Sequence, residues 1–289
     1  MRIYTSTIKG LCDPFKAMSA PTSTLAENLI RKDRWVVGTG LLLICLLSWT
    51  YLLTGANTGM SANAMTTWQF PPPINAASMT TGWSTYYWLV MLSMWCVMMV
   101  AMMLPSAAPV VLLYARVYRQ SQRRGQIDSP YIPTANFLFG YLLAWFGFSV
   151  VATTIQWLLE YSRMLDAMMM WSTTTTLSAI FLAFAGVYQF STLKTVCLKH
   201  CRSPIEFISQ RWRTGRSGAT IMGIEHGAYC VGCCWLLMAL LFVGGVMNLV
   251  WIAALASVVL LEKLTPSGRW ISRGSGALLI ATAGYLISA

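Results

Sequence analysis

The chain has 289 residues, of which 56% are hydrophobic and only 10% are charged; its mean hydropathy is +0.59. A soluble globular domain carries about 25% charged residues, so the composition excludes an ordinary soluble domain and predicts a protein embedded in a membrane. The net charge of +11 would suit a nucleic acid partner, but the distribution of the basic residues argues against that class.

Seven apolar segments are predicted to be membrane-spanning helices, because a span needs about 20 mainly apolar residues. In chain order they run roughly over residues 35–53, 86–104, 136–159, 177–191, 227–242, 247–261 and 274–288. The second segment is predicted to continue beyond Pro105 and Pro109 as a kinked helix. Only Gly244 and Gly245 separate the fifth from the sixth. The sequence therefore predicts an all-α, polytopic transmembrane helical bundle over residues 35–289, after a basic tail over residues 1–34.

The basic residues occupy alternate connecting segments of this arrangement. All of the 20 Lys and Arg residues except Arg163 fall in the tail or in the loops after the second, fourth and sixth segments. This is the positive-inside pattern. It predicts a multi-pass membrane protein with its N-terminus in the cytoplasm and its C-terminus outside. Basic loops of this kind orient helices and contact anionic lipid, so no nucleic acid partner is expected.

Three cysteines lie close together in the fifth predicted span, in the sequence CVGCCW. His226, Cys230 and Cys234 recur every four residues, and Cys233 lies seven residues after His226. Residues three, four and seven apart share one face of a helix, so imidazole and thiol groups are predicted to line one face. Thiolate and imidazole are ligands of Cu(I) and Zn(II). Membrane helices also use Cys as a small apolar residue, and packing is the alternative interpretation.

A second cysteine motif, CLKHC, lies in the preceding loop on the same predicted side of the membrane. Cys197 and Cys201 are four residues apart and so share a helix face. With Cys230 and Cys233 they form a C-x3-C and C-x2-C set, a spacing class typical of metal sites. A cytoplasmic location argues against structural disulfides. His200 is predicted to face elsewhere, and Cys12 and Cys45 stand alone and are predicted to be inert.

Methionine is concentrated in the second predicted span, which reads MLSMWCVMMVAMMLP. Met98 and Met102 belong to a stripe of thioethers on one helix face, and Met99 and Met103 form a second pair beside Cys96. Thioethers bind Cu(I) but hold Zn(II) poorly. Core packing by Met explains the same pattern. If the pattern is functional, it predicts a series of sulfur ligands that leads through the membrane to the thiols.

Two pairs of neighbouring residues suggest polar contacts. Glu262 and Lys263 end the sixth span and are expected to pair with each other. Glu225 precedes His226 and is expected to orient its imidazole.

The motifs of residues 86–263 resemble those of a bacterial family of predicted metal-binding integral membrane proteins. They are WCVMMVAMMLPSAAPVVLLY, KTVCLKHCRSP and HGAYCVGCCWLLMALLFVGGVMNLVW, the last followed by Leu261, Glu262 and Lys263. This family was long classed as a domain of unknown function, and some members are described as copper chaperones linked to tyrosinase-type enzymes. The resemblance implies metal binding without assigning the ligands or the metal.

Together these features predict a membrane-embedded Cu(I)-binding protein that delivers or moves copper, with a copper enzyme or metallochaperone as a partner. An enzymatic role is not expected. The proposed ligands are Cys197, Cys201, His226, Cys230, Cys233 and Cys234, supplied by Met98 and Met102. Two alternatives remain open. One is a membrane thiol oxidoreductase that uses Cys230 and Cys233, because a Cys-x-x-Cys pair suits redox exchange. The other is a structural Zn(II) site.

Overall fold

The computed structural model of the protein describes residues 23–58, 60–67, 82–125, 133–166 and 168–288. Across these ranges the chain is all-α, as predicted, with one isolated β-bridge between Leu165 and Ser172. The helices are α1 (Ser23–Leu53), α2 (Thr85–Arg123), α3 (Thr134–Tyr161), α4 (Thr175–Gln189), α5 (Thr192–Arg202), α6 (Pro204–Arg211), α7 (Gly215–Ala239), α8 (Leu241–Gly244), α9 (Leu249–Leu264) and α10 (Gly268–Ser288).

Helix α2 is the longest of these helices and continues through both of its prolines, as predicted. Its 39 residues extend about 58 Å at 1.5 Å per residue, which is longer than the roughly 30 Å hydrocarbon core of a bilayer. Ser84 caps its N-terminus by accepting a hydrogen bond from the backbone N–H of Tyr87 at 3.1 Å.

Four helical segments of the described chain are long and apolar enough to cross a membrane. They are Trp35–Leu53, Thr85–Arg123, Thr134–Tyr161 and Gly215–Gly244. Helices α4 and α5 meet at a bend of 64° and make a fifth candidate if they form one broken span. This is fewer than the seven spans predicted from the sequence. The 16 residues of α9 fall short of a full span, and α10 includes Arg269 and Arg273 because it begins at Gly268.

The outer faces of these helices are apolar. On α1, Leu43 and Leu47 are 59% and 60% exposed, and on α10, Leu278 and Ile287 are 67% and 74% exposed. A soluble monomer rarely leaves large contiguous apolar patches in water. The several long apolar helices are therefore compatible with a surrounding membrane.

Helices α3 and α7 pack closely because glycines lie at their crossing. A Cβ atom added to Gly140 would be 2.1 Å from the carbonyl oxygen of Thr220, and one added to Gly223 would be 2.0 Å from that of Phe137. Gly227 meets Ala144 in the same way, at 2.6 Å. Small residues let helix backbones approach this closely in membrane bundles, and any side chain at Gly140 or Gly223 would separate the two helices.

A buried hydrogen-bonded pair joins α2 to α3 in the core. Trp95 of α2 and Gln156 of α3 are both fully buried, and the indole N–H of Trp95 donates to Gln156 Oε1 at 2.7 Å. The amide of Gln156 also donates to Glu160 at 2.8 Å. An unpaired polar group costs more in an apolar interior than in water, so the bond between Trp95 and Gln156 fixes the register of α2 against α3.

Candidate metal centre

The three cysteines of CVGCCW lie on α7 and point into the bundle. Cys230, Cys233 and Cys234 are each 1% exposed. The thiols of Cys233 and Cys234 donate to the carbonyl oxygen of Cys230 at 3.1 and 3.0 Å. This is the shared face predicted from their spacing, and it places three sulfur atoms within about one turn of a single helix.

Helix α5 brings the CLKHC motif onto this face of α7. The Sγ atoms of Cys201 and Cys233 are 4.0 Å apart, although 32 positions separate the two residues in sequence. Cys197 lies against Gly232, where an added Cβ atom would be only 2.9 Å from its Sγ atom. The absence of a side chain at Gly232 therefore lets α5 approach the thiols of α7. The structure brings together the two motifs that the sequence linked through their spacing and their predicted side of the membrane.

The distance between Cys201 and Cys233 is compatible with a shared metal ion. A Zn–thiolate bond is about 2.3 Å long, so sulfur atoms 4.0 Å apart can both bond to one ion of similar size. Within the described ranges, however, no set of three or more His, Cys, Asp or Glu side chains is arranged to hold one ion together. A third donor from these residues would have to move toward the pair.

Cys230 is surrounded by polar groups that sequence analysis did not associate with it. The ammonium group of Lys263 on α9 lies 2.8 Å from Cys230 Sγ and also donates to Ser106 Oγ at 3.3 Å. The hydroxyl of Tyr141 on α3 lies 3.2 Å from the same sulfur. A buried ammonium group beside a thiol stabilises its thiolate form, and the thiolate is the form that binds metals.

The expectation that Lys263 pairs with Glu262 is wrong. Glu262 instead forms an ion pair with Lys194 of α5 at 2.7 Å, and the two side chains are only 2% and 1% exposed. Gln189 donates to the same carboxylate at 3.2 Å. Adjacent residues of a helix do not face each other, so Glu262 and Lys263 point to different neighbours. Sequence reasoning missed the contact of Lys263 with Cys230 for that reason.

Met103 is the methionine of α2 whose sulfur lies within hydrogen-bonding distance of a thiol among the described residues. Its Sδ atom lies 3.9 Å from Cys234 Sγ, and its carbonyl oxygen accepts a hydrogen bond from Tyr141 at 3.2 Å. Met98 and Met102 are buried in the same core, but neither makes a hydrogen-bonding contact with a thiol among the described residues. The methionines of the predicted thioether series are thus buried, and Met103 is the member that lies next to the thiol of Cys234.

His226 is enclosed by aromatic rings. It is 2% exposed, and the ring centroids of Phe207, Tyr141 and Phe137 lie 5.1, 5.9 and 6.2 Å from its own. Its Nδ1 atom has no hydrogen-bond partner. A buried nitrogen without a partner is costly and is open to a ligand.

Glu225 does not orient this imidazole, contrary to expectation. Its carboxylate pairs with Arg213 at 2.9 Å and with Arg211 at 3.8 Å. His200 faces elsewhere, as predicted. It stacks on Tyr229 with ring centroids 4.2 Å apart.

Among the described residues, Cys45 and Cys96 make no hydrogen-bonding contact with the cysteine cluster formed by the thiols of α5 and α7. Cys45 on α1 approaches the carbonyl oxygen of Ala101 at 3.9 Å, and Cys96 is half-buried on α2. Cys12 falls outside the described residues.

The PpoB2 copper chaperone family model matches residues 92–286, more than half of the chain and all the cysteines of the cluster. The protein therefore belongs to this family, as the motifs suggested. No curated protein and no solved structure matches the chain. Family membership implies copper binding and a copper-related function.

Proposed function

We propose that the protein is a membrane-embedded chaperone that binds Cu(I) at the thiols of α5 and α7 and delivers it to a copper enzyme or to a metallochaperone. The observation that carries this proposal is the 4.0 Å separation of Cys201 Sγ and Cys233 Sγ. Thiolates favour the soft Cu(I) ion. Copper is the cargo of this site and not a resident cofactor.

The proposed ligand set is that predicted from the sequence. Cys201 and Cys233 hold the ion first, and the remaining donors of the same face complete the coordination as the site adjusts. The thioethers of α2 supply copper to the thiols. The residues concerned are Cys197, Cys201, His226, Cys230, Cys233 and Cys234, with Met98 and Met102 on the supply path and Met103 where that path meets the thiols.

Substitution of the central pair tests this assignment. Cys201→Ser with Cys233→Ser replaces two soft sulfur donors by hydroxyls, which bind Cu(I) poorly. We expect Cu(I) affinity to fall at least about tenfold, the size of loss found even for groups that only support metal ligands. Cys45→Ser is the matched control and should leave affinity unchanged. Equal effects from the two sets of substitutions would show that the cluster only packs.

We further propose seven spans in the bacterial inner membrane over residues 35–289, with a cytoplasmic tail over residues 1–34. The support is the confinement of all but one of 20 Lys and Arg residues to alternate segments. In this arrangement α9 and α10 cross the bilayer beside longer neighbours. A reporter that works only outside the cytoplasm should be active when it is fused after Ala289. A reporter that works only inside the cytoplasm should be active when it is fused near Gly125. The reverse result at either position would refute this topology.

A thiol oxidoreductase is the second candidate, and the contact of Lys263 with Cys230 at 2.8 Å favours it. In that reaction Cys230 and Cys233 would form a disulfide and pass two electrons and two protons to a quinone or to a partner disulfide.

Elemental analysis of the purified protein before and after thiol alkylation separates the functions. Stoichiometric copper that alkylation removes supports the chaperone, whereas bound zinc supports a structural site. Protein without either metal, whose two thiols cycle with a quinone, supports the oxidoreductase.

A further inference from the structure

A basic cavity lies beside α5. Its volume is about 590 Å³, and it is bounded by the end of α4, by α5 and by the first turns of α10. Its basic lining residues are Lys194, Lys199, Arg202, Arg269 and Arg273. Among its described lining residues none carries a carboxylate. Typical ligand pockets measure about 300–1,000 Å³, so the space suits a small ligand or a lipid headgroup.

Two of the five basic residues pair with carboxylates that lie outside the lining. Lys194 pairs with Glu262 at 2.7 Å and is buried. Lys199 pairs with Glu206 at 3.5 Å, but both groups are largely exposed, and such surface pairs contribute little. The cavity therefore keeps a positive excess from the three arginines and from a weakly paired lysine.

Arg202 is held in place by neutral acceptors, which leave its charge uncompensated. Its Nη2 atom donates to the carbonyl oxygens of Thr265 and Pro266, each at 2.7 Å. These bonds tie the end of α5 to the connection between α9 and α10. A guanidinium group with a fixed orientation and free N–H groups matches the oxygen atoms of a phosphate.

The border of the cavity combines this charge with exposed apolar surface. Phe190 lines the cavity and is 51% exposed, and Leu193, next to Lys194 in sequence, is 68% exposed. The five basic residues belong to segments that the positive-inside pattern assigns to the cytoplasmic face. Basic pockets between helices on that face bind the headgroups of anionic lipids.

We propose that this cavity binds a phosphate-bearing anion, with the phosphate held by Arg202, Arg269 and Arg273. An anionic phospholipid headgroup and a soluble phosphate are two sources of this chemistry. The inference does not depend on copper binding, so it can fail or hold separately from the proposed function.

The test uses the full chain purified in detergent and placed in nanodiscs of phosphatidylglycerol or of phosphatidylcholine. Retained lipid is measured by native mass spectrometry. Arg269→Gln with Arg273→Gln removes two exposed charges from the cavity. Arg123→Gln with Arg124→Gln is the matched control, because it removes two exposed charges at the end of α2, outside the cavity lining.

We expect the wild-type chain and the control to retain phosphatidylglycerol over phosphatidylcholine, and the cavity variant to retain it roughly tenfold less. Displacement of the lipid by millimolar inorganic phosphate would identify a soluble phosphate as a competent source, and retention in its presence would identify the lipid. Equal losses in the two double variants, or no preference for phosphatidylglycerol and no phosphate binding in the wild type, would overturn the proposal. If the cavity variant fails to fold, Arg269→Gln alone replaces it, with Arg124→Gln alone as its control, and should still retain less phosphatidylglycerol than that control.

Discussion

The contact between Lys263 and Cys230 makes a sharp prediction about copper affinity. Lys263→Met keeps a long unbranched side chain but removes the ammonium group that lies 2.8 Å from Cys230 Sγ. Without this cation, the thiolate form of Cys230 loses its buried charged partner. We therefore expect Cu(I) to compete less well with the proton for this sulfur.

The size of the effect follows from the type of contact. A hydrogen bond to a charged group contributes about 1.5–3 kcal/mol, and about 1.4 kcal/mol corresponds to a factor of ten in affinity. Loss of this bond should thus weaken Cu(I) binding roughly 10- to 100-fold at neutral pH.

The assay is anaerobic competition between the detergent-solubilised protein and a chromophoric Cu(I) chelator across a pH series. Lys199→Met is the matched control: it removes the same charge from an exposed residue whose pair with Glu206 spans 3.5 Å at the surface. Thermal unfolding of both variants checks that they fold. Unchanged affinity in Lys263→Met would refute the role assigned to the ammonium group. A gain in affinity would show that Lys263 competes with the ion for Cys230.

Three further predictions concern the surroundings of the thiols. Glu262→Gln leaves the Lys194 ammonium group buried without its charged partner and should lower the free energy of unfolding by about 3–5 kcal/mol. Glu262→Leu with Lys194→Met removes both charges and should restore most of that free energy. Equal destabilisation of the single and the double variant would contradict the buried pair. Met103→Leu roughly conserves volume and should cost under about 1.5 kcal/mol, yet weaken Cu(I) binding in the chelator assay. Met98→Leu with Met102→Leu should spare that affinity but impair maturation of a copper enzyme in cells, and normal maturation would remove both residues from the supply path.

The helices could be predicted because hydropathy reports directly on burial in an apolar medium. Each predicted span falls largely within a helical segment, and the break at Gly244 and Gly245 is real: α8 ends at Gly244, and Gly245 has a positive φ of 98°. Hydropathy did not show that α10 begins at Gly268, because the charged side chains of Arg269 and Arg273 in its first turns are typical of a loop.

The candidate site could be predicted only in part, because spacing gives the face of a helix and not the neighbour of that face. The four-residue spacing of Cys197 and Cys201 correctly predicted a shared face. Their docking on α7 depends on the small residue Gly232, which a count of ligand types does not consider. Two errors had a common cause. Glu262 was paired with Lys263, and Glu225 with His226, although adjacent residues of a helix point in different directions.

The glycine crossing of α3 and α7 also bears on how copper could leave the protein. Since the carbonyl oxygens of Phe137 and Thr220 occupy the space of the missing side chains, α7 has little freedom to shift against α3. Cys233 and its neighbours on α7 therefore keep fixed positions. Helix α5 is tied to α9 at its start by the buried pair of Lys194 with Glu262, and at its end by the bonds from Arg202 to Thr265 and Pro266. Under the proposed function, separation of Cys201 from Cys233 would require these contacts to loosen, so a receiving protein would have to act on the ends of α5.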